Sequence, residues 1–194
     1  VQTLQFPENI RFDIAKIAVK ACFETSLDGY QKAEIIKEIV NTFQISNILE
    51  DVEIQELIKK TILSLLKKNE LSEASCLTFV VPESLLTDLA IQDAVCTAIK
   101  EILKNITGEP TDSVNFYRKH FKVSDKHFYP IVADAVANTL PLDTHRAHKI
   151  AEKLEIPGEF LQNSEMQKLA ISALTRELDK EQIGYIDNRY WVAI

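Results

Sequence analysis

Apolar residues recur along this chain at helical rather than strand spacing. In FDIAKIAVKACF, Ile14, Ile17, Ala18, Ala21 and Cys22 fall on one face, which predicts an amphipathic helix with Asp13 placed to cap it. SLDGY (26–30) breaks the pattern, and QKAEIIKEIVNTF (31–43) predicts a second helix with Ile35, Ile36, Ile39, Val40 and Phe43 inward. Asp51 is placed to cap VEIQELIKKTILSLLKK, whose stripe runs through Val52, Leu57, Ile58, Ile62 and Leu65. A further helix starts near Leu71 and is interrupted by Pro82-Glu83-Ser84. LLTDLAIQDAVCTAIKEILKN is the next long helix. Ahead of all of these, VQTLQFPENIRF alternates around the turn signal Pro7-Glu8-Asn9, as a short hairpin or an extended lead-in.

Two of these helices echo one another. At a spacing of 37 residues, IQELIKKTILSLLK matches IQDAVCTAIKEILK at Ile54/Ile91, Gln55/Gln92, Ile62/Ile99, Leu66/Leu103 and Lys67/Lys104. A period of that size is the mark of stacked helical pairs, and chance similarity between two amphipathic helices is the competing explanation. ITGEPTDS (106–113) is the best linker, with Gly, Pro and small polar residues and no periodicity. It divides the chain into an N-terminal helical domain, 1–108, and a second part, 109–194.

The second part opens with VNFYRKHF and DKHFYPIVADAVANTL, two helices separated near Ser124. Asp143 or Thr144 caps HRAHKIAEKLEI, which Pro157-Gly158 stops. A helix around SEMQKLAISALTRELDKE follows, with Met166, Leu169, Ala173, Leu174 and Leu178 on a common face. The ending IGYIDNRYWVAI has two short apolar-aromatic runs flanking Asp187-Asn188-Arg189, the pattern of a β-hairpin. Helix, tight break, helix, hairpin is the order of a winged helix. IAEKLEIP followed by ALTRELDKEQIGYIDNRYWVAI resembles the helix-turn-helix and wing of that superfamily. The expected fold is therefore mainly α, a helical bundle or helical repeat followed by a C-terminal winged helix with a terminal β-hairpin.

Composition narrows the function classes. With 46% hydrophobic and 26% charged residues the chain reads as an ordinary globular protein, and four glycines leave few places for backbone to wrap a substrate. No apolar run is long enough to cross a bilayer, and no signal peptide is marked. Cys22, Cys76 and Cys96 are odd in number and widely spaced, against a disulfide framework and for a cytoplasmic location. The net charge of −7 is uneven: residues 1–111 hold 11 basic and 17 acidic side chains, residues 112–194 hold 11 and 12. The acidic first part would repel a phosphate backbone, so any nucleic acid belongs to the second.

The first eighty residues carry two further resemblances. Phe12-Asp13-x-x-Lys16-Ile17, Ala21, EIV (38–40), VEIQELI (52–58) and ASCLTF (74–79) resemble the running pattern of an ATP-cone. That family holds its nucleotide on a basic, glycine-containing hairpin. VQTLQFPEN replaces it here, so the resemblance leaves Arg11 and Lys16 as the phosphate contacts. IAKIAVKACFETSLDGYQKAEIIKEIV also resembles a TerB-like helical domain, whose acidic patch would here reduce to Asp28 and Glu34.

Other chemistry is sparse. All four histidines lie between His120 and His148, and His145 and His148 are one turn apart, able to hold a metal if His127 or Asp125 joined them. Their neighbours Arg146 and Lys149 would repel a cation. Phe116, Tyr117, Phe121, Phe128 and Tyr129 are interleaved with Arg118, Lys119, Lys122 and Lys126. Such a run is a nucleic-acid stacking surface or, more often, core with snorkelling lysines. No phosphate loop, dinucleotide fingerprint or nucleophile elbow occurs. No cofactor is implied. The expected role is a non-enzymatic regulatory or scaffold protein, its partner docking on Lys168, Arg176, Arg189, Tyr190 and Trp191 of the winged helix or on the acidic helical face. An ATP-cone-like nucleotide sensor and a winged-helix DNA-binding regulator are the alternatives.

Overall fold

The computed structural model describes residues 6–104, 111–162 and 164–179, without the side chains of 174 and 177–179. These residues are mainly helical, and no strand occurs among them. The expected terminal hairpin, with Arg189, Tyr190 and Trp191, falls outside the described residues. By packing, the chain divides into two compact units. One is Val1–Ala98 with His120–Lys122, and the other is Ile99–Lys119 with Val123–Ile194.

In the first unit, α1 (Glu8–Glu24) and α2 (Gly29–Phe43) pair with each other. A short 3-10 turn, Ser46–Glu50, leads into α3 (Val52–Lys67), and α4 (Leu71–Leu77) packs against both α2 and α3. Then come the single turn α5 (Glu83–Leu86) and α6 (Leu89–Lys104), whose last residues, from Ile99, belong to the second unit. There, α7 (Thr111–His120) precedes α8 (Asp125–Thr139), which packs on α9 (Thr144–Lys153) and on the short α10 (Gly158–Leu161). The last described helix is α11 (Ser164–Asp179).

Local chemistry explains most of these boundaries. Asp28 caps α2 through a reciprocal box with Gln31. Gly29 follows because α4 passes so close that a Cβ there would sit 2.1 Å from the Glu73 carbonyl oxygen. Asp51 caps α3 and Asp143 caps α9, as their positions in the sequence predict. In a chain poor in glycine, four helices end on a left-handed residue that is not glycine: Gln44, Asn69, Lys122 and Glu155. In each case the next amide donates to a carbonyl five residues back, such as Ile45 to Val40 and Val123 to Arg118. These are Schellman closures.

Four expectations need correction. α1 starts at Glu8, with Pro7 at its N-cap position, so Asp13 lies inside the helix and does not cap it. Its buried face is Ala15, Val19 and Cys22, whereas Ile14 and Ile17 face outward, Ile17 at 68% exposure. The reason is that α1 is apolar on both sides, and α2 and α3 pack on the side with the smaller residues. In α3 the buried stripe is Ile54, Ile58, Ile62 and Leu66, while Val52, at the first helical position, stays exposed. The long helix expected from Leu85 is two, because Asp88 starts a new one. Its carboxylate accepts from the Ala90 and Ile91 amides at 3.0 and 3.4 Å.

That cap extends the 37-residue echo into three dimensions. Asp51 and Asp88 are 37 apart, and Asp51 accepts from Glu53 and Ile54 amides at 3.1 and 3.2 Å in the same way. Gln55 and Gln92 each donate from Nε2 to a carbonyl six residues back, Leu49 at 3.2 Å and Leu86 at 2.6 Å. Ile54/Ile91, Ile58/Val95, Ile62/Ile99 and Leu66/Leu103 are buried in both helices. At the next interval, Phe128, Val132 and Val136 of α8 are buried, 37 residues past Ile91, Val95 and Ile99. The cap has changed there: Ser124 takes the N-cap position without a capping bond.

Gln92 has a second role. Its Nε2 also donates to the Phe121 carbonyl at 2.7 Å, so both amide hydrogens are used in a buried site. Replacing it with alanine strands two buried carbonyls, at a cost of about 2–3 kcal/mol. Gln55 makes one such bond from a half-buried position. Urea unfolding is therefore expected to show Gln92→Ala as clearly more destabilising than Gln55→Ala. Equal losses would contradict the double role.

Candidate functional site

The cations that the sequence offers for phosphate sit where α1 meets α2 and α3. Arg11 lies on α1 and donates from Nη1 to the Phe43 carbonyl at the end of α2, at 2.9 Å. Lys16 lies one turn and a half further on and reaches the head of α3, 2.8 Å from Asp51 and 3.0 Å from Glu53. Lys20 also binds Glu53. Hydrogen bonding to Asp51 and Glu53 raises the Lys16 pKa, and the bond from Lys16 lowers that of Asp51. Arg11 and Lys16 thus share a helix but serve different partners.

Behind this cluster, α1 and α3 leave an open groove of about 690 Å³. Lys20 and Glu53 line it as a pair, Glu24, Glu56 and Lys60 add charge, and Leu57 and Leu63 give an apolar floor. A second Lys–Asp contact repeats the first: Lys59 of α3 binds Asp88 at the head of α6, at 2.7 Å. A third, Lys100 to Asp134, joins α6 to α8 at 3.1 Å on a more exposed surface. Glu53, which with Glu56 the sequence suggests as a carboxylate of a solvated face, pairs with Lys16 and Lys20, whereas Asp88 and Lys59 were not singled out from the sequence. The signal was there in Asp88, which stands 37 residues after the recognised cap Asp51 and just before an apolar-periodic run. The remaining TerB-type candidates are structural. Asp28 accepts from the Gln31 amide at 2.7 Å, and Glu34 pairs with Lys37 at 2.7 Å.

In the second unit, His145 and His148 stand on the first two turns of α9, and His148 lies 3.9 Å from Glu152. His127 contacts the Ser124 hydroxyl at 3.0 Å, and Asp125 binds Arg118. Among the described residues, no group of three or more metal-ligating side chains forms. The aromatic and basic run is divided between core and surface. Phe121 and Phe128 are fully buried, while Lys119, Lys122 and Lys126 are exposed. Arg118 lies over the rings of Phe128 and Tyr129, at 4.3 and 4.9 Å from their centroids, a cation–π arrangement. A smaller cavity of about 230 Å³ is bordered by Lys100, Leu103, Ile131, Asp134, Leu142 and Arg146.

On α11, Lys168 is exposed next to exposed Ile171 and Glu165, and Arg176 is half-buried. Met166, Ala170 and Ala173 form its buried side, and Leu169 is half-buried. Among the described residues, no helix is long and apolar enough to cross a membrane. Compared with known families, characterised proteins and solved structures, the chain matches none.

The Lys–Asp contacts carry a pH signature. Asp51 and Asp88 are held below the ordinary aspartate range, chiefly by hydrogen bonds from Lys16 and Lys59. A carboxyl with a depressed folded value stabilises the fold above its unfolded value, about 3.9, and loses that contribution as pH falls through the folded value. The urea midpoint of the wild type should therefore decline below about pH 4. Lys59→Met should make that decline shallower, since Asp88 then keeps only its backbone donors. An unchanged slope would contradict the coupling.

Proposed function

We propose that this chain is a non-enzymatic scaffold or regulatory protein that works by binding other proteins, built as a run of helical pairs and closed by a winged helix. The observation that carries this reading is the 37-residue recurrence of cap, glutamine tie and buried stripe in α3 and α6. Repeated helical units have no single cleft in which to enclose a substrate. Their product is extended side-chain surface, which suits protein partners. The winged helix is supported by the order α9, left-handed Glu155, Pro157 and then α10 and α11. Its docking face would use Lys168 and Arg176, together with Arg189, Tyr190 and Trp191 of the wing. Thiols at Cys22, Cys76 and Cys96 are unpaired and pushed up by burial, in keeping with a reducing cytoplasm.

Charge favours protein over phosphate as the partner. Arg11, Lys16 and Lys20 of α1 are each engaged by a carbonyl or carboxylate within the fold. A nucleotide would have to displace those partners. On α11, Glu165 and Lys168 are exposed together, which weakens attraction to duplex DNA.

Two measurements on the purified chain test this. Thermal melting with millimolar ATP or dATP and magnesium is expected to show no shift, because a ligand of the native state alone must raise the melting temperature. A saturable rise of several degrees would overturn the reading in favour of a nucleotide sensor. Size-exclusion of the chain from the cells that produce it is expected to show co-elution with a protein at fixed stoichiometry. Elution alone, with salt-sensitive binding to duplex DNA, would overturn it in favour of a DNA-binding regulator.

A further inference from the structure

The outward side of α1 carries a run of exposed apolar residues. Phe6, Ile10, Ile14 and Ile17 are all exposed, and Ala21 continues the line. Their spacing of three and four residues puts Ile10, Ile14, Ile17 and Ala21 on one stripe, directly opposite the buried Ala15, Val19 and Cys22. Single exposed apolar residues are ordinary, but a stripe along one helix is a contact surface.

The charges on α1 say what kind of contact. Its cations are turned inward: Arg11 to the Phe43 carbonyl, Lys16 to Asp51 and Glu53, Lys20 to Glu53. What remains beside the stripe is acidic. Asp13 is three residues from Ile10 and four from Ile17, and Glu24 is three from Ala21, so both border the stripe and both are exposed. Glu24 also lines the groove toward α3. There Lys20 is paired with Glu53, Lys59 is paired with Asp88 and also feels Glu56, and Glu24 lies beside Lys60.

From this we infer that the outer face of α1, with the groove it borders, docks an amphipathic helix of a partner protein whose apolar stripe is edged with Lys and Arg. Isoleucines meet the apolar stripe, and the partner's cations sit at Asp13 and Glu24. An anionic membrane or a nucleic acid presents the opposite charge to this edge and is disfavoured. The inference rests on the protein-binding reading and names the chemistry of one partner.

The probe is a labelled amphipathic peptide of about 18 residues, enough to run the length of a 17-residue helix. One version edges its leucine stripe with lysine, and a control carries glutamate at the same positions. The full chain is expected to bind the lysine peptide saturably, with an affinity that falls as salt rises, and not to bind the glutamate peptide. Ile14→Glu with Ile17→Glu is expected to weaken binding at least about tenfold. Because both positions are exposed, its helix content and melting should match wild type, which circular dichroism checks. Asp13→Lys with Glu24→Lys keeps the stripe and is expected to reverse the preference toward the glutamate peptide.

Equal binding of both peptides, or of neither, would overturn the inference. So would self-association of the chain that the Ile14→Glu/Ile17→Glu variant abolishes, since the face would then belong to a second copy. If a co-eluting protein is retained by that variant, the docking face is wrong while the scaffold reading stands. If wild type binds neither peptide nor protein, the scaffold reading itself fails.

Discussion

After α1, each long helix of the first unit begins at an aspartate: Asp28 for α2, Asp51 for α3 and Asp88 for α6. At the head of α3, one oxygen of Asp51 takes two backbone amides and the other takes Lys16 of α1. At the head of α6, Asp88 does the same with Lys59 of α3. The cap satisfies amides that a helix start leaves open. The lysine ties that start to an earlier long helix, α1 for Asp51 and α3 for Asp88. Neither bond is large. A cap contributes about 1 kcal/mol, and a partly exposed ion pair less than that. The stripe below each cap, four buried aliphatic side chains, contributes about 1.5–3 kcal/mol for each. Burial therefore supplies the stability, and the caps decide which residues are buried. A start displaced by one residue would rotate the stripe by about 100°.

Function follows from what this arrangement consumes. Arg11, Lys16 and Lys20 hold α1 to its neighbours. The same commitments leave the outer side of α1 apolar with an acidic edge. On the proposed reading, that surface would suit a basic amphipathic helix of a protein partner.

Much of the helical plan was legible in the sequence. Asp51 and Asp143 precede clear periodic runs, and both cap. The 37-residue echo was visible as five matched residues. What could not be seen was the part set by tertiary neighbours. α1 carries two apolar stripes, and periodicity favours the larger isoleucines. Only the close approach of α2 and α3 shows that Ala15, Val19 and Cys22 are the packed side. Asp88 was hidden because the residues before it are also apolar, so one helix was expected where a turn intervenes. Gln92 showed only as a match to Gln55: a glutamine among apolar residues reads as surface until the carbonyls of Leu86 and Phe121 are placed around it. The site candidates fared according to the same rule. Residue type located the cations, but only their partners showed that they were already engaged.

The most direct test of the recurrent unit is the exchange of glutamine side-chain amide hydrogens, followed by NMR on the intact chain. Both Nε2 hydrogens of Gln92 are predicted to exchange slowly, with chemical shifts displaced from those of free glutamine. One hydrogen of Gln55 should be protected to a lesser degree. Gln92 hydrogens that exchange as fast as those of an exposed glutamine would contradict the account, because the tie that marks α3 and α6 as equivalent would then be absent.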